Sequence, residues 1–355
     1  MMSAKYLAQG DLSAWLGALA QGRRVLVPVR ENGAVVFRPY GPGVAPVLSR
    51  QADSPPKESV FPSTERLMEF SYSKDPENLG KVALDIKETV NAPATVVFGG
   101  RPCDARGFTV FDRVYDTKAI RDPYYAERRA STLFVTLACD APETTCFCNS
   151  VGSSPVDADG SDVLLTPVEG GWLVEAVSER GKALLDAPAL KDAPASAQEQ
   201  AKAAQEAAVA AMPPAWDAAP AAAKLIEKFD DMGFWDNVSA KCISCGACTY
   251  LCPTCYCFTV TDERSGMKGE RIRTWDTCMS FQFTLEASGH NPRPTKAYRL
   301  KNRVGHKFSY YPDIHKGPIA CCGCGRCIKL CPVSVDIREI VRLAMELPTA
   351  TAGKP

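Results

Sequence analysis

The sequence predicts an N-terminal domain of α/β (or α+β) class, joined by a helical linker to a mostly helical, cysteine-rich C-terminal domain. Three observations predict it. Short apolar strand-like runs flank a helical segment before residue 185, alanine and glutamine dominate from 186 to 234, and 12 of the 16 cysteines follow residue 240. A chain of 355 residues can bury two cores. The expected boundaries are 1–185 for the α/β domain, 186–234 for the linker, 235–345 for the cysteine-rich domain and 346–355 for a disordered tail.

In chain order, Arg24–Val29 and Ala34–Phe37 flank Asn32-Gly33, a strong hairpin signal. Thr95–Phe98 reads as a buried strand ending at Gly99-Gly100, Phe108–Val114 as a helix and Leu133–Leu137 as a second buried strand. Strand, helix and strand make a βαβ unit, which places the two strands parallel and adjacent. Val163–Thr166 and Trp172–Val177 form a further hairpin through Gly170-Gly171. The linker favours helix, is broken by Pro213, Pro214 and Pro220, and is expected to be largely solvated. Within the cysteine-rich domain, Met279–Ala287 and Pro294–Phe308 are expected to be helical.

Charge is balanced at 41 basic against 41 acidic residues, with 46% apolar and 23% charged. That is an ordinary globular composition, which excludes a disordered, collagen-like or globally basic chain. No apolar run approaches the roughly 20 residues of a membrane helix. The start, Met1-Met2-Ser3-Ala4-Lys5-Tyr6, leads into no apolar signal core. A cytoplasmic location is therefore expected, where thiols stay reduced and closely spaced cysteines point to metal rather than to disulfides.

Two runs carry the strongest signal. Cys242-Ile243-Ser244-Cys245-Gly246-Ala247-Cys248-Thr249-Tyr250-Leu251-Cys252-Pro253 and Cys321-Cys322-Gly323-Cys324-Gly325-Arg326-Cys327-Ile328-Lys329-Leu330-Cys331-Pro332 both fit C-x2-C-x2-C-x3-C-P. This is the ferredoxin run for a [4Fe–4S] cluster: three thiolates on a tight turn reach three corners of a cube, and the fourth is aimed at the neighbouring cube. The expected ligands are Cys242, Cys245, Cys248 and Cys331 for one cluster, and Cys321, Cys324, Cys327 and Cys252 for the other. Structural zinc is the alternative, but zinc sites pair two C-x2-C units and need no C-x3-C-P element. Residues 235–345 carry 16 Lys and Arg against 9 Asp and Glu. That surplus of seven positive charges suits clusters carrying four thiolates. The 68-residue spacer, Pro253–Ala320, favours a helical ferredoxin-type dicluster domain over a minimal ferredoxin.

Cys103 and Cys139 follow the two βαβ strands, so parallel strands would bring both thiols to one carboxyl edge, where open α/β sheets place ligands. Cys146 and Cys148 lie a few residues beyond. These four form a candidate third [4Fe–4S] site, with isolated buried thiols or zinc as the alternatives that spacing leaves open. Cys255, Cys257, Cys278 and Cys322 are read as structural. There is no G-x-G-x-x-G after a strand, no P-loop and no C-x-x-C-H haem site. His290, His306 and His315 belong to no catalytic pattern, so no catalytic residue is assigned. Arg303, His306 and Lys307 are placed to tune a nearby cluster.

Arg101-Pro102-Cys103-Asp104, Cys139 with Glu143-Thr144-Thr145-Cys146-Phe147-Cys148, Cys252-Pro253-Thr254-Cys255-Tyr256-Cys257-Phe258, Arg303–Tyr310 and Cys324-Gly325-Arg326-Cys327 carry a resemblance. From about residue 24 to 342 the chain resembles the family of sulfhydrogenase beta subunits and anaerobic sulfite reductase A-subunits. Its alanine-rich linker is longer than that family leads one to expect. The resemblance implies an electron carrier with two C-terminal [4Fe–4S] clusters and strengthens the case for the third. It also implies a partner subunit that binds flavin and NAD(P), and a catalytic subunit of hydrogenase, sulfite reductase or heterodisulfide-reductase-like type. The α/β domain would then serve as a docking platform. The rivals are a free ferredoxin-like carrier and a zinc- or cluster-stabilised nucleic-acid-binding protein, the latter disfavoured by the neutral charge balance. Neither nucleic acid nor membrane is an expected partner.

Overall fold

The computed structural model describes residues 4–348, so most of the expected tail lies outside the described residues. The strands are β1 (Ala4–Ala8), β2 (Arg24–Glu31), β3 (Ala34–Pro39), β4 (Thr64–Lys74), β5 (Val82–Glu88) and β6 (Thr95–Gly100). They continue as β7 (Thr132–Leu137), β8 (Val163–Val168), β9 (Gly171–Ala176), β10 (Leu190–Asp192), β11 (Phe258–Ser265) and β12 (Lys268–Trp275).

Eight of them form one sheet in the order β10-β1-β9-β8-β7-β6-β2-β3. Its centre is parallel, β2 with β6, β6 with β7 and β7 with β8, and its flanks are antiparallel. The β2–β3 turn uses Asn32 at φ 48° and Gly33 at φ 82°, the left-handed pair a two-residue hairpin needs. Alternation along the central strands fills both faces. Val96, Phe98, Val135 and Val163 pack under the helix Leu12–Leu19 through Trp15 and Leu16. Val97 and Phe134 face the helix Pro102–Tyr115 through Phe108 and Phe111. That helix begins with proline and a capping box, in which Asp104 accepts from the Arg101 backbone N–H at 3.0 Å.

Most of the linker helix Ala195–Ala210 is exposed, and one narrow face lies against the sheet. Ala197, Ala201 and Ala208 are buried, Gln205 donates to Thr166 Oγ1 at 2.9 Å, and Gln200 accepts from the Glu169 backbone. Small side chains let this helix lie close against the sheet.

The second sheet, β11-β12-β4-β5, is antiparallel throughout. It corrects the expectation of a mostly helical C-terminal domain, because the spacer between the cysteine runs contributes the β11–β12 hairpin. Glu65 on β4 is buried between Arg273 of β12 and Arg128 of the helix Pro123–Ser131, and Arg273 also reaches Asp122 at 2.5 Å. Met279–Ala287 is not a helix either. Thr277 Oγ1 and Ser280 Oγ accept from the backbone of Met279 and Gln282, and Asn291 donates to the Phe281 carbonyl. Such side-chain bonds divert the backbone from a helical ladder and leave a single tight turn, Gln282–Thr284. The expected helix over Pro294–Phe308 is present as Lys296–Gly305, widening to a π-turn at His306–Tyr310.

Candidate metal centre

The two cysteine runs fold alike. In each, a left-handed glycine, Gly246 at φ 77° and Gly325 at φ 73°, caps a one-turn helix, Ala247–Tyr250 or Arg326–Lys329, and the two short helices pack together. Cys327 and Cys331, from the second run, line one cavity with Cys242, Cys245 and Cys248 of the first, among the apolar Met279, Leu300, Val335 and Ile340. Backbone N–H groups of Ser244 and Val335 point at Cys242 Sγ and Cys331 Sγ, at 3.4 and 3.2 Å.

Cys252, from the first run, stands beside Cys321, Cys324 and Cys327. Burial pushes all three thiols up, Cys324 to about 12, and the Cys252 thiol adds to the rise in each. Cys103, Cys139, Cys146 and Cys148 also converge. Cys103 sits in the first turn of the helix after β6, and Cys139 just past β7, on the carboxyl edge of two parallel neighbours. Burial raises Cys139 to about 11 and Cys148 to about 12, and charge on Cys139 and Cys146 opposes ionisation of Cys148. All sixteen cysteines are free thiols. Among the described residues, no three His, Cys, Asp or Glu side chains close on a point as around a single ion.

The third group is held against the second by glycine. Phe147 N donates to the Gly323 carbonyl at 2.8 Å, and a Cβ on Gly323 would lie 2.4 Å from Cys148 N. Beside this contact Arg326 and Asp104, each 1% exposed, pair through two bonds of 2.6 and 3.1 Å, while Arg326 Nε donates to the Ala52 carbonyl.

Three buried cations reveal the electrostatic demand of the region. Lys307, 2% exposed, donates to Cys252 Sγ at 3.3 Å, Thr254 Oγ1 at 2.7 Å and the Ala320 carbonyl. Arg303, 4% exposed, donates to Cys255 Sγ at 3.4 Å. Lys57, 3% exposed, donates to the Thr249 and Cys255 carbonyls and lies 4.1 Å over the Trp275 ring. Among the described residues none of the three has a carboxylate partner. Burial opposes the charge on Lys307, but negative charge on the neighbouring cysteine sulfurs, Cys252 first, outweighs it and raises the ammonium pKa well above the usual lysine range. At Lys57 burial wins and lowers the pKa. Buried cations without counter-charge are costly, so all-thiol donor sets facing them fit anionic iron–sulfur clusters. Sequence reasoning marks Arg303 and Lys307 by their place in the spacer. It misses Lys57 and the Arg326–Asp104 pair, which sequence distance conceals.

Residues 241–335 match the family of 4Fe–4S dicluster domains. Sulfhydrogenase 2 subunit beta of Pyrococcus furiosus is 32% identical over 244 residues, covering 68% of this chain and 71% of that protein. No solved structure matches the chain. Among the described residues no helix is long and apolar enough to cross a membrane. With two ferredoxin-type cysteine runs, buried cations around them, the dicluster-domain match and this relative, the chain belongs to the sulfhydrogenase beta subunit family, as an iron–sulfur electron-transfer subunit.

Proposed function

We propose that this chain relays single electrons inside a cytoplasmic multi-subunit oxidoreductase. Its donor or acceptor on one side is a subunit binding flavin and NAD(P). On the other is a catalytic subunit of hydrogenase, sulfite reductase or heterodisulfide-reductase-like type. Cys242, Cys245, Cys248 and Cys331 hold one [4Fe–4S] cluster, Cys252, Cys321, Cys324 and Cys327 a second, and Cys103, Cys139, Cys146 and Cys148 a third. The clusters supply one-electron transfer, which a two-electron flavin partner complements.

The observation that carries this reading is the set of buried cations at the thiols. Lys307 and Arg303 offset cluster charge and favour the reduced state, while N–H groups aimed at Cys242 and Cys331 do so on the other quartet. Apolar side chains at Met279, Leu300 and Ile340 cover one side of that quartet, while Cys245 is exposed. An open surface suits docking: β5 is exposed along its whole length, with Val82, Leu84 and Ile86 more than half exposed.

Two measurements test the reading. Affinity purification of the chain from its native cells under anaerobic conditions is expected to bring down a flavoprotein; a stable monomer that accepts electrons and carries out the full activity alone contradicts the subunit role. Lys307→Met is expected to move the second cluster's potential negative by on the order of 100 mV, the effect of a unit charge about 5 Å away at an effective dielectric of about 20. Redox titration followed by electron paramagnetic resonance (EPR) reads the shift, and Lys307→Arg is expected to restore most of it.

A further inference from the structure

Three of the cysteines outside the ferredoxin runs are not scattered through the core. Cys255, Cys257 and Cys278 line one cavity of about 400 Å³, together with Arg293, Arg303, His306 and Lys307. Cys255 and Cys257 follow directly from the Cys252-Pro253 turn, while Cys278 comes from the loop leaving β12. Asp276 N donates to the Cys257 carbonyl at 2.9 Å, which brings Cys278 alongside Cys257, and Cys255 N donates to the Cys252 carbonyl at 3.4 Å. Arg303 lies in the wall between this cavity and the one holding Cys242, Cys245, Cys248 and Cys331.

Packing accounts for only part of the lining. Cys278 belongs to an apolar cluster and Cys257 packs against it, but the cavity that both share with Cys255 also faces two cations that are more than nine-tenths buried and, among the described residues, have no carboxylate partner. Arg293 and His306 add further nitrogen donors, with His306 held by a 3.1 Å bond to Tyr256 Oη. The π-turn at His306–Tyr310 is a geometry that recurs at functional sites, and it carries both His306 and Lys307.

We propose that Cys255, Cys257 and Cys278 hold an additional [4Fe–4S] cluster with three protein thiolates, whose fourth iron faces the cavity rather than a cysteine. The proposal does not depend on the identity of the partner subunits. Three thiols around a space this large suit a cubane, while the nearby cations offset its charge. Contact between Cys255 and Cys252 places the site next to the second quartet, so that electrons can pass between them.

A cubane lacking one protein thiolate releases an iron when oxidised. Mild ferricyanide oxidation of the anaerobically purified full-length chain is therefore expected to produce the EPR signal of a three-iron cluster. In the double variant Cys257→Ser/Cys278→Ser, that signal is expected to vanish, with about four irons and four sulfides lost per chain. The dithionite-reduced signals of the two ferredoxin-type clusters are expected to persist and report that the variant is folded. Absence of a three-iron signal in the unsubstituted chain overturns the proposal, as does unchanged iron in the folded double variant. Stoichiometric zinc or a disulfide recovered from these cysteines overturns it too. If instead the ferredoxin-type signals themselves are missing from the unsubstituted chain, it is the electron-transfer reading that fails.

Discussion

Replacing Arg326 with methionine is expected to destabilise the protein by about 3–5 kcal/mol, because it leaves Asp104 charged and buried without its partner. Both side chains are 1% exposed, and the guanidinium forms two bonds to the carboxylate and one to the Ala52 carbonyl. The pair joins the first turn of the helix Pro102–Tyr115 to the second cysteine run, 222 residues away in sequence. Losing it should loosen the contact between the third and second thiol groups as well as lower stability. Anaerobic urea unfolding reads the stability loss, and iron content reads the loosened contact. Adding Asp104→Asn is expected to recover a large part of the stability, since removal of both charges avoids the uncompensated one and Asn can still accept from the Arg101 backbone. No recovery in the double variant would mean that the cost arises from lost packing.

The second large effect is expected at Gly323. Its φ of 62° is left-handed, and a Cβ there would meet Cys148 N at 2.4 Å and Phe147 C at 2.5 Å. These are backbone atoms that cannot swing aside. Gly323→Ala is therefore expected to cost about 2–4 kcal/mol, combining backbone strain with overpacking, and to lower the iron content of the chain. Gly266, in the β11–β12 turn, is the matched control. Its φ is 61°, but nothing lies within 4 Å of its Cβ position. Gly266→Ala should cost only about 1 kcal/mol and leave iron content unchanged. Equal effects at the two positions would show that Gly323 serves the turn alone.

The central βαβ unit is readable from sequence because its strands are buried on both faces, so Thr95–Phe98 and Leu133–Leu137 stand out as apolar runs between helical residues. The four-stranded sheet is not readable. Strand β5 is exposed at every position, and β4 reads Thr-Glu-Arg-Leu-Met-Glu-Phe-Ser-Tyr-Ser-Lys, with charges interrupting any alternation. Its partner, β12, lies about 200 residues away, and the buried Glu65 network that fixes the pairing has no local signature.

The cysteine runs are the most legible feature, since spacing alone dictates which thiolates share a turn. What spacing does not reveal is convergence. Cys278 lies 21 residues beyond Cys257, yet lines the same cavity because the β11–β12 hairpin folds back on itself. The same hairpin places Trp275 beneath Lys57. Composition gives no sign of the narrow face by which the linker helix meets the sheet, where the small size of Ala197 and Ala201 lets them pack closely.

Electron relay by this chain requires clusters held by the cysteines of residues 242–252 and 321–331. The most direct test is iron and acid-labile sulfide analysis of chain purified without oxygen, followed by EPR before and after dithionite. At least about eight irons and eight sulfides per chain are expected, with signals from interacting reduced [4Fe–4S] clusters. A colourless protein with fewer irons than that, and no signal after reduction, would contradict it.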